Sequence, residues 1–336
     1  MLLVPFRSAA LTLPGNNPFH SILRSNILNR SFNCSTNFRK TLTLISKMGT
    51  SSKRPMCPSC SKPTRICLCN RFKTPILDNS VAVTILQHIL EKDHPLNSTR
   101  IAVLGLKNLG VEWVSDVNFQ AHFDIRVFRE EGEGKDGVFI DESSGKSVNF
   151  SIGKHGLISS FNREMVLVNG KENVGFDGFV DSRFMVDAFE KGFVVKKVHE
   201  REFDGESVNV ESEMEVPAGS VLLFPSEKAV GPEEIDFEVR NLIVLDGTWA
   251  KAKRMYKENP WLKSLPHLKL DLDKLSLYGE VRNQPRAGYL STIESIVYAL
   301  KALGENSEGL DGMLDVFASM VGDQRRCKDE RLSMAD

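Results

Sequence analysis

The chain has 336 residues, 41% of them hydrophobic, and a formal net charge of −1. That is enough apolar material for one large domain or two smaller ones. No apolar run reaches the length needed to cross a bilayer, so no membrane partner is expected. The near-neutral total hides an asymmetry: residues 1–77 hold 12 Lys and Arg and no acid, leaving 31 basic against 44 acidic residues beyond them. The composition is that of a basic arm on an acidic body.

Residues 1–50 carry Arg7, Arg24, Arg30, Arg39 and Lys40 among Ser, Asn, Leu and Phe. An acid-free, Arg- and Ser-containing leader fits a mitochondrial or plastid transit peptide and not a secretory signal. Translation from Met1 then implies one of those organelles. Met48 offers a second start that deletes the leader and implies the cytosol or nucleus.

Four of the six cysteines follow at Cys57, Cys60, Cys67 and Cys69, spaced C-x2-C-x6-C-x-C. Clustering of this kind points to a metal site in a reducing compartment rather than a disulfide framework. Four thiolates close a tetrahedral zinc shell with no open position, so the site is expected to be structural. Residues 51–75 therefore read as a small zinc knuckle. Arg54, Lys62, Arg65, Arg71 and Lys73 around it suit contact with an RNA backbone.

The main domain is expected over 76–325, as an α/β fold with a mostly parallel sheet. Val81–His88 reads as its first strand, and Pro95–Thr99 as a loop and cap before an amphipathic helix over Arg100–Leu109. Residues 129–160, opening with Glu130, Glu131, Glu133 and Asp136, read as an acidic solvated insertion. Met165–Val168, Phe193–Val198 and Val221–Phe224 are expected strands, and Asp181–Lys191 a helix. Val221–Phe224 runs into a polar turn at Pro225-Ser226-Glu227.

Leu242–Leu245 is a β-branched apolar run of the length of a strand buried on both faces. Asp246-Gly247 is a turn signal, and Thr248–Tyr256 is helical until Asn259-Pro260. Asp246 thus sits where a strand hands over to a helix, the edge at which open α/β sheets bind ligands. The plainer alternative is that Asp246 caps that helix. A third polar turn, Leu290-Ser291-Thr292, opens a helix with Glu294 in its first turn. A second helix follows through Leu310, Leu314, Phe317 and Val321, and the charged tail over 326–336 is expected to fray.

Taken together these motifs resemble the DTW-domain family. They are the cysteine knuckle, Ile85–His88 (ILQH), Pro95–Thr99 (PLNST), Pro225–Glu227, Asp246-Gly247-Thr248-Trp249 and Leu290–Glu294, in order between residues 55 and about 320. Two departures are Ile89, where a proline is expected after QH, and the long acidic insertion. The resemblance implies a SPOUT-like α/β fold with a C-terminal knot. It implies a tRNA-uridine aminocarboxypropyltransferase, which moves the 3-amino-3-carboxypropyl group of S-adenosylmethionine to N3 of a uridine and leaves methylthioadenosine. It implies Leu223, Pro225, Ser226, Glu227, Asp246, Gly247, Leu290, Ser291, Thr292 and Glu294 as the co-substrate site. Asp246 is the candidate base, with Thr248 and Trp249 fixing its turn, and Lys251, Arg254, Arg282 and Arg286 are the cations expected to meet tRNA phosphates. No obligatory protein partner is evident. A SPOUT-like RNA methyltransferase and a non-catalytic RNA-binding protein are the competing readings.

Overall fold

A computed structural model describes residues 55–128, 147–163, 183–203, 206–272, 275–280 and 289–333. In chain order its elements are β1 (Ala82–His88), α1 (Thr99–Gly105), β2 (Leu109–Val114), β3 (Gln120–Val127), β4 (Ser147–Gly153) and β5 (Ile158–Arg163). There follow α2 (Arg183–Lys191), β6 (Phe193–Phe203), β7 (Glu206–Val216), β8 (Ser220–Leu223) and β9 (Asn241–Asp246). The last are α3 (Trp249–Glu258), β10 (His267–Leu268), α4 (Thr292–Ala302) and α5 (Ser307–Ser333). Among the described residues no helix is long and apolar enough to cross a membrane.

The strands make two five-stranded sheets. One has the order β10-β8-β9-β1-β2, with every neighbouring pair parallel. The other has the order β5-β4-β3-β6-β7 and is antiparallel throughout. The parallel strands read as continuous apolar runs because both faces are covered. Val83, Ile85, Val221, Leu242 and Val244 face a core made with α1, α4 and α5. The alternating Leu86, Leu222 and Ile243 face a second core with Phe123, Phe150 and Phe193 of the antiparallel layer and with Trp261 of the turn after α3.

The antiparallel sheet was not expected. Its β4 and β5 occupy residues assigned to the acidic loop over 129–160, of which 129–146 lie outside the described residues. The alternation Val148, Phe150, Ile152, all buried, is a plain period-two signal. The run of acids before it conceals that signal. The expected strand at Met165–Val168 and the leader over 1–50 lie outside the described residues.

Two boundaries differ from expectation. The helix over Arg100–Leu109 stops at Gly105, because Leu109 onward is taken by β2. A side chain at Gly105 would also collide with Met313 of α5, whose sulfur lies 2.5 Å from the Cβ position. The tail does not fray at 326: α5 continues to Ser333. Buried Asp323 holds it, accepting from Arg71 Nη2 at 2.6 Å and from Arg326.

Residues Arg54–Asp336 form one compact unit. The cysteine turn belongs to it, since Cys60 and Leu68 lie in the same core as α4 and α5. Its backbone is closed by Cys57 N donating to Lys62 O at 2.7 Å and Ser61 N to Cys57 O at 2.9 Å. That closure places Ser61 at φ 53, in the left-handed region.

Candidate functional site

Asp246 ends β9, and across the sheet its register partner on β1 is Gln87. Both side chains point to the helix-covered face, the parity shared with Ile85 and Val244. Asp246 is 7% exposed, and its carboxylate is held by three neutral donors. Gln87 Nε2 donates to Oδ2 at 2.7 Å, Thr99 Oγ1 donates to the same oxygen at 2.9 Å, and Thr292 Oγ1 donates to Oδ1. Three distant segments, the end of β1, the start of α1 and the start of α4, are thereby joined at one acid.

The Pro95–Thr99 loop is shaped for this. Asn97 Nδ2 donates to the carbonyls of Glu91 and Lys92, both at 3.1 Å, while its Oδ1 accepts from Thr99 N at 3.0 Å. Tyr278 Oη donates to Leu96 O. Thr248, not Asp246, is the helix cap: its Oγ1 accepts from Lys251 N at 3.4 Å. The residue between them is closely packed, since a Cβ on Gly247 would lie 3.1 Å from Lys251 Cβ and 3.5 Å from His88 Cβ. The ring of Trp249 lies against that of Tyr289, with centroids 4.4 Å apart.

These groups wall a cleft of about 160 Å³. Of the residues expected at the co-substrate site, Asp246, Gly247, Leu290, Ser291 and Thr292 line it, together with Thr248 and Trp249. Glu91, Asn97, Tyr278 and Tyr289 line it too. Sequence reasoning gave these four no role, nor did it give one to Gln87 and Thr99. The available signal was a polar residue, Gln87, ending an otherwise apolar strand face.

Other expected residues stand elsewhere. Leu223, Pro225, Ser226 and Glu227 are not in the wall of this cleft. They form the end of β8 and the turn beyond it, where Phe224 stacks on Tyr256 at 4.3 Å. Near that turn Ser226 Oγ and both ring nitrogens of His267 are buried without a hydrogen-bond partner. Burial, with Lys228 nearby, pushes His267 down to about 4. Glu294 turns away from the cleft and clamps its own helix start. It accepts from Ser291 N at 2.7 Å, Ser276 Oγ at 2.5 Å and Leu277 N at 3.0 Å.

Neither described cation expected to meet phosphate points freely outward. Lys251 Nζ pairs with Glu91 at 2.8 Å, and Arg254 binds Asp116 at 3.0 Å and Glu258 at 2.8 Å. Arg282 and Arg286 lie outside the described residues. Arg254 belongs to a charged cluster between the two sheets. Glu258, 1% exposed, also accepts from Val117 N at 2.8 Å. Buried Lys197 sits 5.6 Å from the Phe123 ring, and burial pushes it down to about 8 against the pull of Glu258 and Asp116. His88 Nδ1 accepts from Leu90 N at 3.2 Å, so its Nε2 carries the proton and donates to Asp116 at 3.1 Å.

The four cysteine sulfurs lie within 4.8 Å of one another, with Cys57 to Cys69 and Cys60 to Cys67 both at 3.7 Å. A tetrahedron with metal–sulfur bonds of about 2.3 Å has edges of about 3.8 Å, so the set could hold a metal ion. The backbone N–H groups of Cys60 and Ser59 pull the Cys57 thiol down to about 6, and burial pushes Cys69 up to about 12.

The DTW domain family matches residues 54–325, most of the chain. The chain belongs to the DTW-domain family. Among curated relatives, the DTW domain here is 37% identical over 91 residues to tRNA-uridine aminocarboxypropyltransferase 2 of Drosophila melanogaster, covering 26% of this chain and 36% of the relative. It is 32% identical over 94 residues to the proteins of that name from Macaca fascicularis and Mus musculus, covering 27% of this chain and 31% of each. The chain thus spans about a third of the length of the curated relatives it matches. No solved structure matches.

Proposed function

We propose that this DTW domain transfers the 3-amino-3-carboxypropyl group of S-adenosylmethionine to N3 of a tRNA uridine. The products are the modified uridine (acp3U) and methylthioadenosine. The observation that carries the reading is a cleft lined by Asp246 and Thr292, in which Thr99 and Gln87 hold the Asp246 carboxylate from behind. The names of the relatives supply the reaction class.

S-adenosylmethionine supplies an electrophilic methylene beside a sulfonium, already activated without a metal. The protein's part is orientation, charge and one proton. A carboxylate offers about four acceptor positions. Gln87, Thr99 and Thr292 take three at Asp246 and leave one for the uridine N3–H. Asp246 is therefore the group that removes the N3 proton as N3 bonds to carbon and the carbon–sulfur bond breaks. Because its donors are all neutral, its negative charge stays uncompensated and favours a cationic ligand in the cleft. Trp249 and Tyr289 offer aromatic surface to a purine or a base. Glu91, which lines the cleft and is held by Lys251, offers an acceptor to the α-amino group, whose recognition selects this carbon over the methyl.

Zinc at Cys57, Cys60, Cys67 and Cys69, a SPOUT-like knot and an organellar leader belong to the same proposal. A return of the chain to the centre of the sheet is what a knot would need. After β10 at one edge, Thr292 comes back to Asp246 on the central strand β9.

The test is the by-product. The purified protein, given S-adenosylmethionine and unmodified tRNA, is expected to release methylthioadenosine and leave acp3U in the nucleoside digest. S-adenosylhomocysteine with a methylated uridine would establish the methyltransferase reading instead. Binding of tRNA with neither product would establish the non-catalytic one.

A further inference from the structure

The cysteine turn and the cleft are joined by a short, fully traced set of contacts. Ser61 and Lys62 follow directly on Cys60. The left-handed Ser61 turns its carbonyl to Arg100 Nη1 at 3.2 Å. Arg100 Nη2 holds Lys92 O at 3.0 Å. Lys62, 3% exposed, donates from its ammonium to Pro95 O. The turn therefore grips the segment 92–100 at Pro95 and at Arg100, which in turn holds Lys92, and the same segment supplies Asn97 to the cleft and Thr99 to Asp246. A serine in the left-handed region is a strained state that persists only where its surroundings impose it. A metal gathering the sulfurs of Cys57 and Cys60 is one such constraint. Without it the turn can relax, and the carbonyl of Ser61 and the ammonium of Lys62 lose their aim.

We infer that Lys62 is a positioning residue which relays metal occupancy at Cys57–Cys69 to the Pro95–Thr99 loop, so that the loaded turn holds Thr99 against Asp246. A lysine serving only to fill space would be replaced by methionine without consequence at the cleft. A lysine that aims the loop would not. Arginine, which keeps a donor, should restore part of the effect.

The experiment compares hydrogen exchange of the Asn97–Ala102 amides in metal-loaded protein, metal-stripped protein and loaded Lys62→Met, with metal content measured for each. Lys62→Met is expected to keep its metal, yet to exchange in this segment about tenfold faster than wild type, as the stripped wild type does. Stripping the variant should add nothing, and Lys62→Arg should recover protection. Arg100→Gln, which removes the Ser61 and Lys92 bonds, is the second variant and should act in the same direction if Lys62→Met does not fold. The idea fails if Lys62→Met is as protected as wild type, or if stripping speeds exchange equally in both. It also fails if stripping speeds exchange in β6 and β7 as much as in the loop, since the metal then supports the whole fold. This readout does not depend on the proposed reaction. A parallel measurement of S-adenosylmethionine affinity, expected to weaken about tenfold in Lys62→Met, does rest on it. Faster exchange in a protein that does not bind S-adenosylmethionine would overturn the function and keep the relay.

Discussion

Two buried carboxylates, twelve residues apart on consecutive elements, are treated in opposite ways. Glu258 at the end of α3 is 1% exposed and meets the guanidinium of Arg254, with the backbone N–H of Val117 as a further donor. Its charge is neutralised where it lies, between two sheets. Asp246 at the end of β9 is 7% exposed and meets only neutral hydroxyl and amide donors. It is equally well solvated by the protein, but its charge is left standing at the mouth of a cleft. A carboxylate with a cation beside it docks layers together, whereas one dressed in neutral donors keeps a field that a cationic ligand can feel.

The largest expected effect comes from removing that field while keeping the shape. Asp246→Asn should lower turnover about a hundred- to ten-thousand-fold with little change in melting temperature, measured by nucleoside mass spectrometry beside calorimetry. Asp246→Ala is the poorer test, because it strands Gln87 Nε2 and two hydroxyls in the interior. It should cost about 1–3 kcal/mol of stability as well. Glu258→Ala should invert the pattern, with a stability loss of about 1–3 kcal/mol in denaturant titration, chiefly from the stranded Val117 N–H, but unchanged turnover per folded molecule. If the two variants behave alike, the distinction drawn here is wrong.

The smallest effect concerns pH. His267 has a folded value of about 4 against 6.5 when unfolded, so the unfolded chain binds more protons between those limits. Its contribution to stability is fully present above 6.5 and is lost as pH falls toward 4. His267→Leu should leave stability near neutral pH almost unchanged, since neither ring nitrogen has a partner to lose. It should remove about 1–3 kcal/mol of the acid-induced loss, read from urea midpoints at pH 7 and 4.5.

The sequence made the parallel layer legible because its strands obey local rules. Leu242–Leu245 is apolar on both faces, Thr248 is a good cap, and Ser291 with Glu294 forms a capping box with both bonds made. The cleft was half legible for the same reason: the turns at Asp246–Trp249 and Leu290–Thr292 were visible and line it, whereas the turn after β8 does not. Their partners were not visible. Nothing local ties Gln87 or Thr99 to Asp246, because the tie is made by register across a sheet and by a loop folded back over 147 residues. The partners of the two described cations were hidden for a related reason. Lys251 and Arg254 look exposed on a helix, but the acids that claim them, Glu91 and Asp116, come from β1's and β2's trailing loops. The antiparallel layer was missed where an acidic stretch drew attention from the alternation in β4.

The register between Gln87 and Asp246 spans 159 residues, and Arg71 reaches Asp323 over 252. On the ribosome, β1 therefore gains β2 along one edge early, but waits for β9, which covers its other edge, until most of the chain is made. Local hairpins such as β6–β7 can close as soon as they are made. The nascent chain must carry one open apolar edge of β1 through most of its synthesis, which makes a chaperone-free translation reaction the setting in which this protein should be hardest to recover intact.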